Sequence, residues 1–179
     1  EWHDYGFKIN VHIAGRAGAE GIRKAYSRLS PEARNTITIE NEEMKHGLDD
    51  CLALGDILPI VLDVHHHWVR EGSYINVEDE RVARVVSSWR DVRPTLHYSV
   101  SREDYLVDHN TDTQPAYSTL LESGHKKSKL RAHSDFYWNT ACNDWALSFL
   151  DKFDIMCESK GKNFASFALH EQAKTKGLV

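Results

Sequence analysis

Only three cysteines occur in 179 residues, Cys51, Cys142 and Cys157, and they are scattered. An odd, unevenly spaced set is neither a disulfide framework nor a zinc knuckle. The expectation is buried, reduced thiols in a cytoplasmic protein. No run of about 18 apolar residues exists, so no transmembrane helix is expected. No signal peptide is expected before the first strand. Positive charge is in deficit: 22 Lys and Arg stand against 27 Asp and Glu, a net charge of −5. Alone, that argues against nucleic-acid binding. The argument weakens if divalent cations sit in an acidic site, because bound ions invert the local field. What the chain has in excess is histidine, 11 in all, and imidazole is the commonest metal ligand. The length suits one domain over 1–179. The chain starts at Glu1 within what reads as ordered structure, and it is read as part of a longer protein.

The organising stretch is 58–68, Leu-Pro-Ile-Val-Leu-Asp-Val-His-His-His-Trp. Ile60, Val61 and Leu62 read as a strand buried on both faces, and the run turns abruptly into Asp63, His65, His66 and His67. Four other strand-like runs end in the same way. Residues 7–13, Phe-Lys-Ile-Asn-Val-His-Ile, form the first, and 36–40, Thr-Ile-Thr-Ile-Glu, the second. Residues 95–100, Thr-Leu-His-Tyr-Ser-Val, follow the organising strand, and 153–158, Phe-Asp-Ile-Met-Cys-Glu, come last.

Helical spacing lies between them. Ile22, Ala25, Tyr26 and Leu29 share one face, and Ser30-Pro31-Glu32 stops that helix and starts one further turn. Leu48, Cys51 and Leu52 mark a short helix with Asp49 and Asp50 at its positive end. Further helices are expected over 77–89, over 139–150 and from Phe164, with a tail that frays after Ala173. Residues 101–132 are polar and aperiodic and read as a long loop, which in a compact domain is usually functional or mobile.

Alternating strands and helices predict an α/β protein with a parallel sheet. An open doubly wound sheet would gather its ligands at one crevice. Here every strand end carries an acid or an imidazole, as in a barrel whose working residues stand at the C-terminal ends of the strands. The expected fold is a partial TIM (β/α)8 barrel, with about five of the eight strand–helix units present.

The strand ends supply His12, Glu40, Asp63 with His66, His97 and Glu158. Carboxylates and imidazoles are what hard divalent cations take. Singly, each has a plainer reading: Glu40 as a salt-bridged carboxylate, His12 or His97 as a hydrogen-bonded loop histidine. Five in phase favour a metal centre. His65 and His67 read as packing or supporting groups. His133, in Arg-Ala-His-Ser-Asp at 131–135, is a candidate extra ligand. Lys126, Lys127, Lys129 and Arg131 just upstream read either as a solvated loop or as phosphate contacts beside the metals. Phe136, Tyr137 and Trp138 could stack on bases, but core packing is the stronger reading.

Several blocks occur in a telling order: Val-His-Ile at 11–13, Ile-Glu-Asn-Glu-Glu at 39–43, Leu-Asp-Val-His-His-His-Trp at 62–68, His-Tyr-Ser at 97–99, Ala-His-Ser-Asp at 132–135 and Glu-Ser-Lys-Gly-Lys at 158–162. Together they resemble the UV-damage endonuclease family across nearly the whole chain. The family has a TIM barrel related in architecture to apurinic endonuclease IV. The resemblance implies a manganese-dependent DNA repair endonuclease that nicks 5′ to cyclobutane dimers and 6-4 photoproducts by metal-activated attack of water on the phosphodiester. Two or three divalent ions are implied, with Zn²⁺ or Mg²⁺ as alternatives to Mn²⁺. By motif, Glu40 would bridge two ions, Asp63, His97 and Glu158 would complete one site, His12 would serve a second, and His66 with His133 a third. Glu40, Asp63 and Glu158 would then be catalytic, with Lys160 as a phosphate contact. The expected partner is double-stranded DNA carrying UV lesions, and the expected state a monomer.

Two departures stand out. The family's lysine, often carboxylated, falls two residues before His97, where this chain has Thr95, so a bridging carbamate is absent there. The family's remaining His ligands and its Gln-Tyr lesion probe belong to three earlier strands without counterparts in these residues, so the fragment alone is expected to be inactive. A sugar isomerase of the xylose-isomerase-like barrel kind is the main alternative, expected to show a small closed pocket and no basic loop. A degenerate, non-catalytic barrel is the other.

Overall fold

In the computed structural model, which describes residues 8–103, 106 and 109–179, five parallel strands form one sheet in the order β1-β2-β3-β4-β5. They are β1 (Ile9–His12), β2 (Ile37–Glu40), β3 (Ile60–Asp63), β4 (Thr95–Tyr98) and β5 (Asp154–Cys157). Sequential order with right-handed crossovers is how a barrel wall grows. Among the described residues the wall stays open, with β1 and β5 as its edges. The expected start of the first strand at Phe7 lies outside the described residues.

Side chains alternate along each strand, and the two faces differ sharply. Ile39, Ile60, Leu62, Leu96 and Tyr98 point into the apolar core. There they meet Val82 and Val85 of α5 (Glu80–Ser88), Leu48 and Cys51 of α3 (Leu48–Leu52), and Ala146 of α8 (Thr140–Leu147). The other face carries Asn10 and His12, Thr38 and Glu40, Val61 and Asp63, Thr95 and His97. Every ligand candidate on a strand thus lies on the face turned away from the helices, and the alternation that buries the core fixes this.

The organising stretch departs from its sequence reading. The strand stops at Asp63, and 64–71 form the helix α4 (Val64–Glu71). The cause is a cap. Asp63 Oδ1 accepts the His66 N–H at 2.7 Å, satisfying one orphan donor of the first turn. Gly72, at φ 74°, closes the other end in the left-handed region that suits glycine. Three consecutive histidines hid the helical spacing of Val64, Trp68 and Val69, all of which are buried.

Residues 101–132 are likewise more than a loop. They contain α6 (Tyr117–Glu122) and α7 (Lys127–Leu130). Leu106, Leu120 and Leu130 pack with Trp68 and Val69 in a small core of their own. The two ends of the excursion are zipped together: Ser134 N–H donates to Val100 O at 2.9 Å and Arg102 N–H to Ala132 O at 3.1 Å. So few apolar residues, so widely spaced, left no periodicity to read.

The remaining helices lie near their expected places. α1 (Gly18–Tyr26) is followed by α2 (Pro31–Thr36), where Ser30 Oγ caps the Ala33 N–H. The last helix, α9 (Asn163–Thr175), does not fray at Ala173, because Leu178 N–H bonds back to Ala173 O at 3.0 Å.

Candidate metal centre

Glu40 sits at the middle of the site. It ends β2, is 1% exposed, and is surrounded by three imidazoles. Its Oε2 lies 3.2 Å from His12 Nε2 and 3.2 Å from His97 Nδ1, and its Oε1 lies 3.3 Å from His66 Nδ1. Strand register explains two of these contacts. His12 is directly beside Glu40 on β1, and His97 is beside Asp63 one strand beyond. The third comes from the cap of α4: the residue three after an N-cap turns back over the strand end, so the Asp-x-x-His spacing places His66 Nδ1 3.4 Å from Asp63 Oδ2. Glu158, just past β5, reaches His97 Nδ1 at 3.0 Å.

Two groups of ligand atoms result. Those of His12, Glu40 and His66 lie within 4.8 Å of one another, as do those of Glu40, Asp63, His97 and Glu158. Glu40 belongs to both. Ligand atoms about 2.1 Å from one small divalent ion stand about 3 Å apart, which matches these spacings. Glu40 Oε1, Asp63 Oδ2 and His97 Nδ1 are buried without an aligned hydrogen bond although charged partners are near. Buried polar atoms are rarely left so. Oxygen and nitrogen donors converging with open coordination capacity fit a divalent cation.

Charge in the cluster is strongly coupled. Burial would raise the Glu40 carboxyl, but the close imidazoles of His12, His66 and His97 hold it far below the usual carboxylate range. Burial would lower His66, yet Asp63 and Glu40 outweigh it and the imidazole is pushed up to about 10. His97 is likewise pushed up to about 10, by Glu158 and Glu40 against burial. Asp63 is pushed up to about 7, first by burial and then by the charges of Glu40 and Glu158, with His66 opposing. His12 is raised, chiefly by its hydrogen bond to Glu40.

The other expected residues are more dispersed. His133 is brought to the mouth by the zipped stem, its ring 6.3 Å from that of His66, but it belongs to neither ligand group. Burial lowers its pKa. Lys160 is exposed and lines the same mouth. Lys126, at the N-terminal cap of α7, and Lys129 on α7 are exposed, Lys127 Nζ bonds Arg70 O at 3.3 Å, and Arg131 pairs with Glu43 at 3.0 Å. His65 is buried between Ser99 Oγ at 2.8 Å and Ser101 Oγ at 3.2 Å, and stacks on Trp68. Tyr137 is buried against Tyr98, and Trp138 Nε1 donates to Ser101 O, whereas Phe136 is 48% exposed. Gly161 lies so close to Asp135 O that a Cβ there would stand 2.5 Å from it, so the Glu-Ser-Lys-Gly-Lys turn needs glycine to run against the His133 segment.

Two contributors escaped the sequence reading. Asn41 continues the sheet with its side chain after β2 leaves it: Nδ2 donates to Asp63 O and Asp63 N–H donates to Oδ1, both at 2.9 Å. Asn41→Ala would strand two buried backbone groups and is expected to destabilise the fold by about 2–5 kcal/mol, measured by denaturant unfolding. Glu43, buried beside His66 with Nε2–Oε2 at 3.7 Å, is the second. Its advance signs were its place in the Ile-Glu-Asn-Glu-Glu block and its position three residues after Glu40, the spacing that separates Asp63 from His66.

The mouth is an open cavity of about 540 Å³ lined by His12, Glu43, His66, Arg131, His133 and Glu158, among others. A parallel α/β sheet of barrel-wall type thus carries at its strand ends a carboxylate–imidazole cluster with the donor set of a candidate metal centre. Residues 5–177 match the family model described as UV-endonuclease UvdE. The chain belongs to that family. It is 32% identical over 170 residues to the UV DNA damage endonuclease of Halalkalibacterium halodurans, covering 89% of this chain and 46% of that protein. It is 28% identical over 171 residues to the UV-damage endonuclease of Schizosaccharomyces pombe, covering 89% and 24%. The crystal structure of SacUVDE superposes with a TM-score of 0.63 at 20% identity, over 96% of this chain and 53% of that one, which supports the TIM-barrel type of fold. The chain spans less than half the length of the curated relatives it matches. Among the described residues, no helix is long and apolar enough to cross a membrane.

Proposed function

We propose that this chain carries the metal-dependent half of a DNA repair endonuclease that nicks beside UV photoproducts, with Mn²⁺ as the preferred ion. The observation that carries the reading is Glu40 shared between two ligand groups at the mouth of the sheet. His12, Glu40 and His66 would hold one ion, and Glu40, Asp63, His97 and Glu158 another, with His133 completing a third position beside His66. Bound divalent ions would supply Lewis acidity to the scissile phosphate and lower the pKa of attacking water. Two adjacent cations also answer the net charge of −5, because they make the mouth locally positive.

The chain's own residues then have distinct tasks. Glu40, Asp63 and Glu158 fix the positions of the cations, and Asn41 holds Asp63 in register. Lys160 and Arg131 line the cavity where a DNA backbone would lie. Lys126, Lys127 and Lys129 extend this basic edge along α7. The relatives' printed names supply the substrate class: UV-damaged DNA. Three free cysteines, two of them buried, suit a reducing, cytoplasmic setting. The family match over residues 5–177 and the relatives' names support an endonuclease over a sugar isomerase.

The test is Mn²⁺-dependent nicking of UV-irradiated against undamaged plasmid by the full-length protein. Nicking confined to irradiated DNA is expected. Equal rates on both substrates would remove the repair reading and leave a general nuclease.

A further inference from the structure

Glu43 is a buried acid on the wall of a cavity proposed to receive phosphate. Unless it holds a cation, such a group opposes the substrate. Its Oε1 lies 3.0 Å from Arg131 Nη1, and the carboxylate is 10% exposed while the Arg131 side chain is 50% exposed. Both residues line the mouth with His12, His66 and Glu158. Arg131 immediately follows α7, whose Leu130 is fully buried. The backbone is therefore anchored on one side, and the guanidinium is tied to Glu43 on the other.

A guanidinium carries five N–H donors in a rigid fork. One edge held by Glu43 leaves further donors for a ligand in the cavity that Arg131 lines. Holding a long side chain in place before binding removes an ordering cost of about 0.5–1.5 kcal/mol from association. With a net charge of −5, the chain depends on a few placed cations rather than on a general positive field.

We propose that Glu43 is a positioning residue for DNA: its buried carboxylate holds Arg131 at the cavity wall as a preset clamp for a backbone phosphate. The inference rests on the DNA reading above and adds to it a role for an acid where simple charge counting predicts the opposite sign. Removing a negative charge from a DNA-binding face should tighten binding. Removing Glu43 should weaken it, because Arg131 loses its anchor.

The experiment measures binding of a short, undamaged fluorescent duplex to the Mn²⁺-loaded chain, across a salt series. Glu43→Gln is expected to weaken binding about fivefold and to lower the slope of log K against log salt by about 1, the signature of one lost phosphate contact. Arg131→Gln, at an exposed position that tolerates change, should give the same loss, and the double variant should be no worse than either. Mn²⁺ content after loading should equal that of the unaltered chain in all three. Tighter binding by Glu43→Gln would overturn the proposal in favour of plain repulsion. Reduced Mn²⁺ with unchanged duplex binding would overturn it in favour of Glu43 as a ligand beside His66. If the unaltered chain binds no duplex, the DNA reading itself fails, an outcome distinct from both. Should Glu43→Gln misfold by circular dichroism, Arg131→Lys decides: a fork held by Glu43 predicts weaker binding than Arg, a mere point charge predicts equal binding.

Discussion

Glu40→Gln is expected to lower bound Mn²⁺ and to reduce nicking by the full-length protein by at least about 100-fold, while the protein stays folded. The magnitude follows from its position. Glu40 is the one residue common to both ligand groups, so its neutral amide weakens two sites at once. The fold survives for a specific reason. Taking one partner from a buried ion pair usually costs about 3–5 kcal/mol, because the other charge is left behind. Here the partners are imidazoles, which can give up their protons at neutral pH once the carboxylate is gone. Metal content by mass spectrometry and a thermal melt separate the two effects. Full metal content in the variant would show that Glu40 is not a ligand. A collapsed melt would show that the three histidines need its charge in order to fold.

Metal loading is expected to expel protons, about two per chain at pH 7, so that the overall constant for loading both ions rises roughly 100-fold per pH unit while both leave. Before loading, His66 and His97 are each held up to about 10 by the surrounding carboxylates. Both are therefore protonated at pH 7 and must become neutral to coordinate. Asp63, pushed up to about 7, adds a fraction of a proton more. The heat of Mn²⁺ binding in two buffers of different ionisation enthalpy reads the number directly, and equal heats in both would refute it.

The same shifts set the stability of the metal-free chain. An unfolded histidine titrates near 6.5. The ion pairing of His66 and His97 thus stabilises the fold fully below about pH 6.5 and is lost as pH rises through about 10. Asp63 acts in the same direction between about 4 and about 7, because its folded form retains a proton that the unfolded form releases. Melting temperature without metal should therefore fall from pH 6 to pH 9, and Mn²⁺ should restore most at the alkaline end.

How far the sequence could be read depends on which interactions were local. The five strands were legible because short β-branched runs, such as Thr-Ile-Thr-Ile-Glu, carry their period of two in the chain itself. That same period put Glu40, Asp63 and His97 on one face. Residues 101–132 were not legible, because their helices are held by Leu106, Leu120 and Leu130 meeting Trp68, contacts made across distant parts of the chain. α4 was not legible either: its cap at Asp63 doubles as a ligand candidate, and its histidines obscured the apolar spacing.

The sequence by itself determined the strand–helix alternation, the strand ends and the chemistry gathered there. Each of those is written in side-chain type and in spacing of a few residues. Tertiary structure alone decided the groupings: that His66 turns toward His12 and Glu40, that His133 arrives from a zipped stem, and that Asn41 and Glu43 serve the site at all. Those outcomes depend on strand register, helix capping and the folding of one loop onto another, and distance in space is fixed only when the whole sheet forms.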